Sequence, residues 1–175
     1  MNLGMPGNEV KLVAHNQEWT EEFLKVQEDI KNSTALGVER IEHIGSTAIK
    51  EIVAKPILDI LVGIDSFETL EDSFFKKFQK IGFYKLKVVR ENEIVLAKFI
   101  DTSFKEKTHF IHLVKYKGTL WSDLIFFRDY LNSNQSARKE YEELKLAFVQ
   151  NQKGDINDYT NHKEDFVKKV IEKNK

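Results

Sequence analysis

The stretch from Pro56 to Ile64 constrains the fold of this chain most strongly, because it is almost wholly apolar and yet carries an acid, Asp59. A short apolar run opened by a proline is typical of a strand that is covered on both faces. An ionised carboxylate among Ile, Leu and Val is costly to bury unless a cation, a metal ion or a hydrogen-bond donor meets it. The sequence therefore predicts an internal strand in which Asp59 has a specific partner.

The residues just upstream suggest what that partner is. The apolar segment that ends at Ile44 is followed by Gly45, Ser46 and Thr47, and a Gly-Ser turn can present backbone N–H groups and a hydroxyl to a phosphate. On this interpretation Asp59 is a metal ligand that faces the phosphates of a nucleotide. The alternative is a structural acid paired with Lys55 or with a nearby arginine.

Apolar periodicity predicts one α+β domain, residues 1–175, with a mixed sheet flanked by helices and a helical C-terminal part. The predicted strands are Val10–Ala14 at an edge, Val38–Ile44, Pro56–Ile64, Phe83–Val89, Ile94–Ile100 and Thr108–Val114. Asn16 is predicted to cap a first helix whose apolar stripe is Trp19, Phe23, Val26 and Ile30. A second helix is predicted from Asp65 to Ile81, with Glu68 in a capping box. The other predicted helices are Leu120–Leu131, Ser136–Gln150 and a last one capped by Asp155.

Composition excludes several classes of protein. The 27 basic and 28 acidic side chains leave a net charge of -1, so the chain lacks the basic excess that a dedicated binder of the nucleic-acid backbone normally shows. The chain has no cysteine, which excludes disulfides, thiolate metal sites and a cysteine nucleophile. No apolar run is long enough to span a bilayer, so we expect a cytoplasmic protein with no membrane partner.

Three histidines fall on predicted strands: His43 ahead of the Gly-Ser turn, and His109 and His112 together in a later strand. Because side chains alternate along a strand, His109 and His112 face opposite sides unless a bulge intervenes. A lone histidine on an apolar strand is usually a hydrogen-bonded core residue, whereas imidazoles on neighbouring strands suit zinc or another transition ion. The candidate metal ligands are therefore Asp59, His112 and His43.

Arg128 lies in a helix that is otherwise filled with large apolar residues. Its planar guanidinium is suited to clamp a phosphate or carboxylate, and the alternative is a helix-surface residue. Asp129 follows it directly, and adjacent helical residues point about 100° apart, so we do not expect the two to pair with each other. Lys145 and Lys163 are expected to be exposed lysines on helix surfaces.

Several segments, in this order, resemble the GrpB family, which is placed in the nucleotidyltransferase superfamily related to DNA polymerase beta. They are the helix of Trp19, residues 41–48, residues 54–60, Thr108 and His109 with His112, residues 127–131 and residues 141–145. In that superfamily a strand, a Gly-Ser loop and a strand with an acid build the active site. The resemblance implies a mixed sheet flanked by helices and a role that involves nucleotides.

The chain also departs from the pattern that the resemblance implies. Superfamily transferases carry two acids, one residue apart, and here the second position is Leu61. Phe110 stands where family members often have histidine, and residues 49–51 replace the family's usual Val-Pro-Gly. Two-metal phosphoryl transfer needs several carboxylates, so we expect one divalent ion, with Mg²⁺ first and Mn²⁺ or Zn²⁺ as alternatives.

The sequence thus predicts an enzyme that acts on a nucleotide or other phosphorylated small molecule by nucleotidyl or phosphoryl transfer. The catalytic residues are predicted to be Asp59 and His112, and the phosphate-binding residues Gly45, Ser46, Thr47, Lys55 and Arg128. The alternative is a binding domain that keeps the pocket and does no chemistry, and Leu61 favours it.

Overall fold

The computed structural model describes residues 3–6, 9–151 and 156–175. The strands in it are β1 (Met5–Pro6), β2 (Ile41–Ile44), β3 (Leu58–Ile64), β4 (Phe83–Lys85), β5 (Ile94–Phe99) and β6 (Glu106–Lys115). The helices are α1 (Glu18–Thr34), α2 (Asp72–Gln79), α3 (Thr119–Ser133), α4 (Gln135–Gln150) and α5 (Ile156–Ile171). The described helices are each too short or too polar to cross a bilayer.

The strands form one mixed sheet in the order β2-β3-β6-β5-β4, with β1 added on β6. β3 and β6 run parallel, and the other pairs are antiparallel. This confirms the predicted α+β class. It also confirms that the apolar strand is internal, since β3 lies between β2 and β6, although it begins at Leu58 rather than at Pro56.

The two faces of β3 have different covers. Ile60, Val62 and Ile64 point into a core with the helix α1, whose predicted stripe from Trp19 to Ile30 is buried. Burial of each such large apolar side chain contributes roughly 1.5–3 kcal/mol. On the opposite face Leu61 packs under Trp121 of α3, while Asp59, two residues earlier, stays 31 % exposed. The helix α3 therefore seals one half of this face and leaves the other half open.

The C-terminal helices pack on one another and on the segment that follows β2. Their shared core consists of Ile49, Ile52, Phe127, Leu131, Tyr141, Phe166 and Val170. Asn134 separates α3 from α4. Its side-chain oxygen accepts a 2.9 Å hydrogen bond from the N–H of Ala137 and so caps the N-terminus of α4. The predicted cap Asp155 and the turn before it lie outside the described residues.

Several predicted boundaries are wrong. Near the N-terminus the segment 10–14 contributes only the bridge between Val13 and Ala54, and the paired strand is β1 instead. The predicted strands Val38–Ile44 and Phe83–Val89 shrink to β2 and β4, because Val38–Arg40 forms a 3₁₀ turn and the chain leaves the sheet after Lys85.

The helix predicted to start at Asp65 starts at Asp72 instead. The reason is local: the Ser66 hydroxyl accepts a hydrogen bond from the N–H of Glu68 at 3.2 Å, which holds a turn where the capping box was expected. Asn16 behaves closer to expectation, since its side chain accepts a hydrogen bond from the N–H of Glu18, the first residue of α1, at 2.9 Å.

Candidate functional site

A pocket of about 430 Å³ lies where the ends of β2 and β3 meet β6 and α5. Six of the predicted site residues line it together: Gly45, Ser46, Thr47, Lys55, Asp59 and His112. They come from a turn, a loop and two strands that are far apart in sequence. His43 and Arg128, the other two predicted residues, are not among its described lining residues.

The turn after β2 supplies backbone donors to this pocket. Gly45 has φ of 70°, and a Cβ atom at this position would lie 2.3 Å from Oδ2 of Asp59, so only glycine fits. Ser46 and Thr47 then enter a single 3₁₀ turn. Within the described part of the chain, no acceptor is found for the N–H groups of Ser46 and Thr47. Backbone N–H groups without an acceptor at a pocket wall are donors of the kind that bind anions in other proteins.

Asp59 belongs to a chain of charged side chains. Its Oδ1 lies 3.2 Å from Nε2 of His112, and Nδ1 of His112 hydrogen-bonds Oε1 of Glu93. The other oxygen of Glu93 accepts a 2.9 Å hydrogen bond from Nη1 of Arg90. Burial disfavours the charged forms of His112 and Glu93, but the hydrogen bonds and the opposite charges of their partners stabilise these forms more. The pKa of His112 therefore rises to about 9 and that of Glu93 falls to about 2.

Sequence reasoning missed Glu93, which looked like part of a polar turn. Its side chain is only 9 % exposed, and it holds the ring of His112 from the side away from Asp59. With a pKa of about 9, His112 carries a proton on both ring nitrogens at neutral pH, so Nε2 donates to Asp59. A metal ion would have to displace the Nε2 proton, and Glu93 would then hold the ring in place through Nδ1, as outer carboxylates do for metal-bound histidines. With Glu93 in this role, Nε2 of His112 and Oδ1 of Asp59 point into the same space.

These two atoms, which a hydrogen bond joins, are candidate metal donors once His112 loses its Nε2 proton. A separation of 3.2 Å suits two atoms on one ion, since bonds of about 2.1 Å at roughly right angles span that distance. The described residues contain no group of three or more His, Asp or Glu side chains that could hold an ion. Leu61, at the position of the missing second acid, is buried under Trp121. The donors fit a single ion that is completed by a ligand, and they do not fit a two-metal centre.

The structure does not bring His43 to this pair, which corrects its prediction as a metal ligand. His43 pairs with Ile60 in the sheet and so faces α1, where its ring stacks on Phe23 with 5.0 Å between centroids. Its Nε2 lies 2.9 Å from the hydroxyl of Thr47. Burial, together with the charge of Arg128, lowers the pKa of His43 to about 4 despite the nearby Asp59, so it is a neutral core histidine.

His109 is also on the α1 side of the sheet, as the alternation along β6 predicted. Its Nδ1 lies 2.8 Å from the hydroxyl of Thr108, and its ring packs edge-on against Phe83. Burial and the charge of Lys98 lower its pKa to about 4. His112 is therefore the one strand histidine, among the described residues, that lines the pocket.

Three lysines surround the turn after β2. The Nζ atoms of Lys55 and Lys163 lie 5.4 Å and 4.0 Å from the centre of the Tyr159 ring, and neither lysine forms an ion pair among the described residues. Lys145 is 0 % exposed, and its Nζ lies 3.3 Å from Oγ of Ser46. Burial lowers the pKa values of Lys145 and Lys163 to about 7; the charge of Lys163 adds to the effect on Lys145, and the charge of Lys55 adds to the effect on Lys163, which Asp59 opposes. Basic side chains outnumber acidic ones in the described lining of the pocket.

Lys145 and Lys163 were expected on exposed helix surfaces, and this expectation is wrong. The sequence did contain a signal, because each lysine falls in the buried stripe of its helix at spacings of three and four residues. The stripes are Arg138, Tyr141, Lys145 and Phe148 in α4, and Tyr159, Lys163, Phe166 and Val170 in α5. A lysine at such a position has to snorkel, to pair or to face a polar cavity.

Arg128 is a structural residue rather than a phosphate clamp in this fold. Its Nη1 donates to Oε2 of Glu42 at 2.6 Å and to the carbonyl of His43 at 2.9 Å, which ties α3 to β2. Its Nε donates to Oδ1 of Asp129 at 2.7 Å, so the two neighbours do pair, because the long guanidinium curls back along the helix. These contacts occupy the fork that a phosphate would need.

The outer wall of the pocket is apolar. It is formed by Ile57, Leu86, Val88, Val95 and Phe110, with Lys107 and Arg90 also in the lining. Positive groups around the turn and apolar side chains opposite favour a ligand that has both an anionic and an apolar part.

Comparison with known families identifies the family of this chain. The family model described as GrpB protein matches residues 9–173. The chain belongs to the GrpB family. Within the GrpB family it is 40 % identical over 170 residues to the Glutamate-rich protein GrpB of Alkalihalophilus pseudofirmus, a match that covers 97 % of this chain and 98 % of that relative.

Solved structures place the GrpB fold in a wider group. The crystal structure of the conserved protein GrpB from Enterococcus faecalis aligns with a TM-score of 0.78 at 26 % identity, over 93 % of this chain and 96 % of that one. The Cid1 poly(U) polymerase bound to Mg 3′-dATP aligns with a TM-score of 0.52 at 15 % identity, over 77 % of this chain and 41 % of the polymerase. The likeness to the polymerase shows a nucleotidyltransferase-like fold.

Proposed function

We propose that this GrpB protein binds a nucleotide or a similar phosphorylated small molecule in the pocket and transfers its phosphoryl or nucleotidyl group. The observation that carries the proposal is the excess of positive charge around the turn after β2. Lys55 and Lys163 share the Tyr159 ring and form no ion pair with a described residue, and Ser46 and Thr47, which line the same pocket, have backbone N–H groups without a described acceptor. A phosphate supplies the negative charge that these groups lack, and the apolar wall accepts the rest of the ligand.

One divalent ion fits this proposal, held by Oδ1 of Asp59 and Nε2 of His112, with phosphate oxygens and water as the remaining ligands. Bound there, it would neutralise charge on the reacting phosphoryl group. An imidazole donor beside a single carboxylate suits Mn²⁺ or Zn²⁺ better than Mg²⁺, which prefers oxygen donors. The donor set thus moves our expectation away from the Mg²⁺ that the fold family suggests.

The protein side chains then have separate tasks. The Gly45–Thr47 turn holds phosphate oxygens through backbone N–H groups, and the close approach of Gly45 to Asp59 keeps the turn beside the ion. Lys55 and Lys163 offset charge that develops on the phosphoryl oxygens. Glu93 keeps the ring of His112 in register with Asp59.

Thermal unfolding with pyrophosphate or ATP, each with Mn²⁺, Zn²⁺ or Mg²⁺, tests the proposal. A ligand at 100 times its Kd stabilises the native state by about 2.7 kcal/mol. Lys163→Met should lower this stabilisation strongly, whereas Lys169→Met, on an exposed position of the same helix, should not. Asp59→Asn should abolish the part of the stabilisation that depends on the metal ion. No shift with any of these ligands, or equal shifts in the two lysine variants, would contradict the proposal.

The second candidate function is ligand binding without chemistry, which the buried Leu61 favours because it removes one metal-binding acid. Incubation of the protein with ATP labelled at its phosphates, with Mn²⁺ and simple alcohols as acceptors, separates the two. Release or transfer of label that Asp59→Asn abolishes supports the transferase. Tight binding without any turnover supports the binding domain.

A further inference from the structure

Ser46 has the surroundings of an activated hydroxyl. Its Oγ lies 3.3 Å from Nζ of Lys145, and its second neighbour is Tyr141, whose pKa it influences. Both partners come from α4, one turn apart, and both belong to its buried stripe. Serine becomes a nucleophile when a base within hydrogen-bond reach removes its proton and a third group orients that base.

Lys145 meets the requirements for such a base. Its ammonium nitrogen donates to the carbonyl of Val53 and to Oγ of Ser46. Once neutral, the amine can keep the Val53 contact with one N–H and accept from the Ser46 hydroxyl with its lone pair. Burial comes first among the influences on Lys145, and the charge of Lys163 adds to it while Glu142 opposes, so that its pKa is about 7. A substantial fraction of Lys145 is therefore neutral near pH 7.

The pocket also offers donors where negative charge would develop. The N–H groups of Ser46 and Thr47 find no acceptor in the described part of the chain. An N–H on the residue after the nucleophile is a common source of oxyanion stabilisation. Lys55 and Lys163 lie on the same side, around Tyr159.

We propose that Ser46 is a nucleophile, activated by Lys145, and that group transfer in this pocket passes through a phosphoester of Ser46. In the first step the Oγ–P bond forms and the bond from phosphorus to the leaving oxygen breaks, while Lys145 takes the serine proton and passes it to that oxygen. In the second step an acceptor hydroxyl or water attacks phosphorus and the Oγ–P bond breaks. Lys145 takes the acceptor's proton and returns it to Oγ. The inference rests on the proposed phosphorylated ligand.

An alkyl fluorophosphonate tests this step without knowledge of the natural ligand. Attack by Ser46 forms an Oγ–P bond, the P–F bond breaks, fluoride leaves and the serine proton goes to Lys145. We expect one adduct per chain by intact mass spectrometry, mapped by peptide sequencing to Ser46 and absent in Ser46→Ala. Because general base catalysis contributes at least about 100-fold, Lys145→Arg, which retains the charge but is not a base, should label at least about 100-fold more slowly.

Lys139→Arg is the matched control, since Lys139 is an exposed residue of the same helix with a side chain that is 76 % exposed, and it should label like the unchanged protein. Lys145→Met provides a second test if the arginine variant does not fold, with circular dichroism as the check. Pyrophosphate binding measured on the same samples separates the two proposals. If pyrophosphate binds but no adduct forms at Ser46, or if the Lys145 variants are labelled as fast as the unchanged protein, this inference is overturned and the proposed function still stands.

Discussion

Replacement of Lys145 by methionine should make the protein more stable at neutral pH while it weakens the site. The side chain is 0 % exposed, and its pKa falls from an ordinary 10.5 to about 7 because of burial and the charge of Lys163. Each unit of pKa shift corresponds to about 1.4 kcal/mol. The unfolded chain binds this proton more tightly than the native one, so at pH 7 the native state loses about 4 kcal/mol to the lysine.

Methionine fills a similar volume without charge, so the variant escapes this cost. It also leaves the carbonyl of Val53 without the lysine donor, a loss of about 1–3 kcal/mol. We therefore expect a net gain of about 1–3 kcal/mol in the free energy of unfolding at pH 7. The cost of the wild-type lysine is full below pH 7 and fades as the pH rises toward 10.5, so the gain should shrink by about 3 kcal/mol between pH 7 and pH 9.5.

Urea denaturation at the two pH values, followed by circular dichroism, measures the effect, with Lys139→Met on the exposed side of α4 as the control. The same variant should bind pyrophosphate more weakly than the wild type. A variant that loses more stability at pH 7 than at pH 9.5 would refute the reasoning. That result would mean that Lys145 is a well-compensated cation in the native state.

Two further predictions concern groups outside the pocket. Burial is the main cause that lowers the pKa values of His43 and His109 from 6.5 to about 4. Because the unfolded chain binds these protons more tightly, the native state keeps its full stability above pH 6.5 and loses up to about 3 kcal/mol per histidine as the pH falls toward 4. Urea titrations should show that the free energy of unfolding falls less between pH 7 and pH 4.5 in His109→Gln than in the exposed control His162→Gln. Arg128→Lys keeps the charge but has one nitrogen, whereas Arg128 bonds Glu42 and the His43 carbonyl through Nη1 and Asp129 through Nε. The variant should therefore lower the free energy of unfolding by about 1–3 kcal/mol and leave pyrophosphate affinity unchanged. Weaker binding in a fully stable variant would return Arg128 to the site.

The strand β3 and the turn before it could be predicted because their chemistry is local. Only an internal strand accommodates the apolar run that ends at Ile64, and only a turn accommodates Gly45 and Ser46. Asp59 stood out for the same reason, since its neighbours in sequence offered it no compensation. A few adjacent residues are therefore enough to predict features of this kind.

The lysines and Glu93 could not be placed in the same way. Whether Lys163 faces water or a pocket depends on which surface α5 packs against, and that is fixed by Phe166 and Val170 in a core shared with α3 and α4. Glu93 becomes part of the site only because β5 pairs with β6 in a register that sets its carboxylate beside His112. Arg128 was misread because its partner Glu42 is distant in sequence.

The position of α5 has a consequence for how the pocket behaves as a unit. The turn after β2 and the strands supply one half of the pocket, whereas Tyr159 and Lys163 arrive on a helix that the rest of the sheet does not need for its own hydrogen bonds. A ligand that contacts both halves would therefore bind only while α5 is docked. By the same linkage, whatever loosens Phe166 and Val170 from their neighbours weakens binding without touching the ligand. Ligand affinity and the docking of α5 are thus thermodynamically linked.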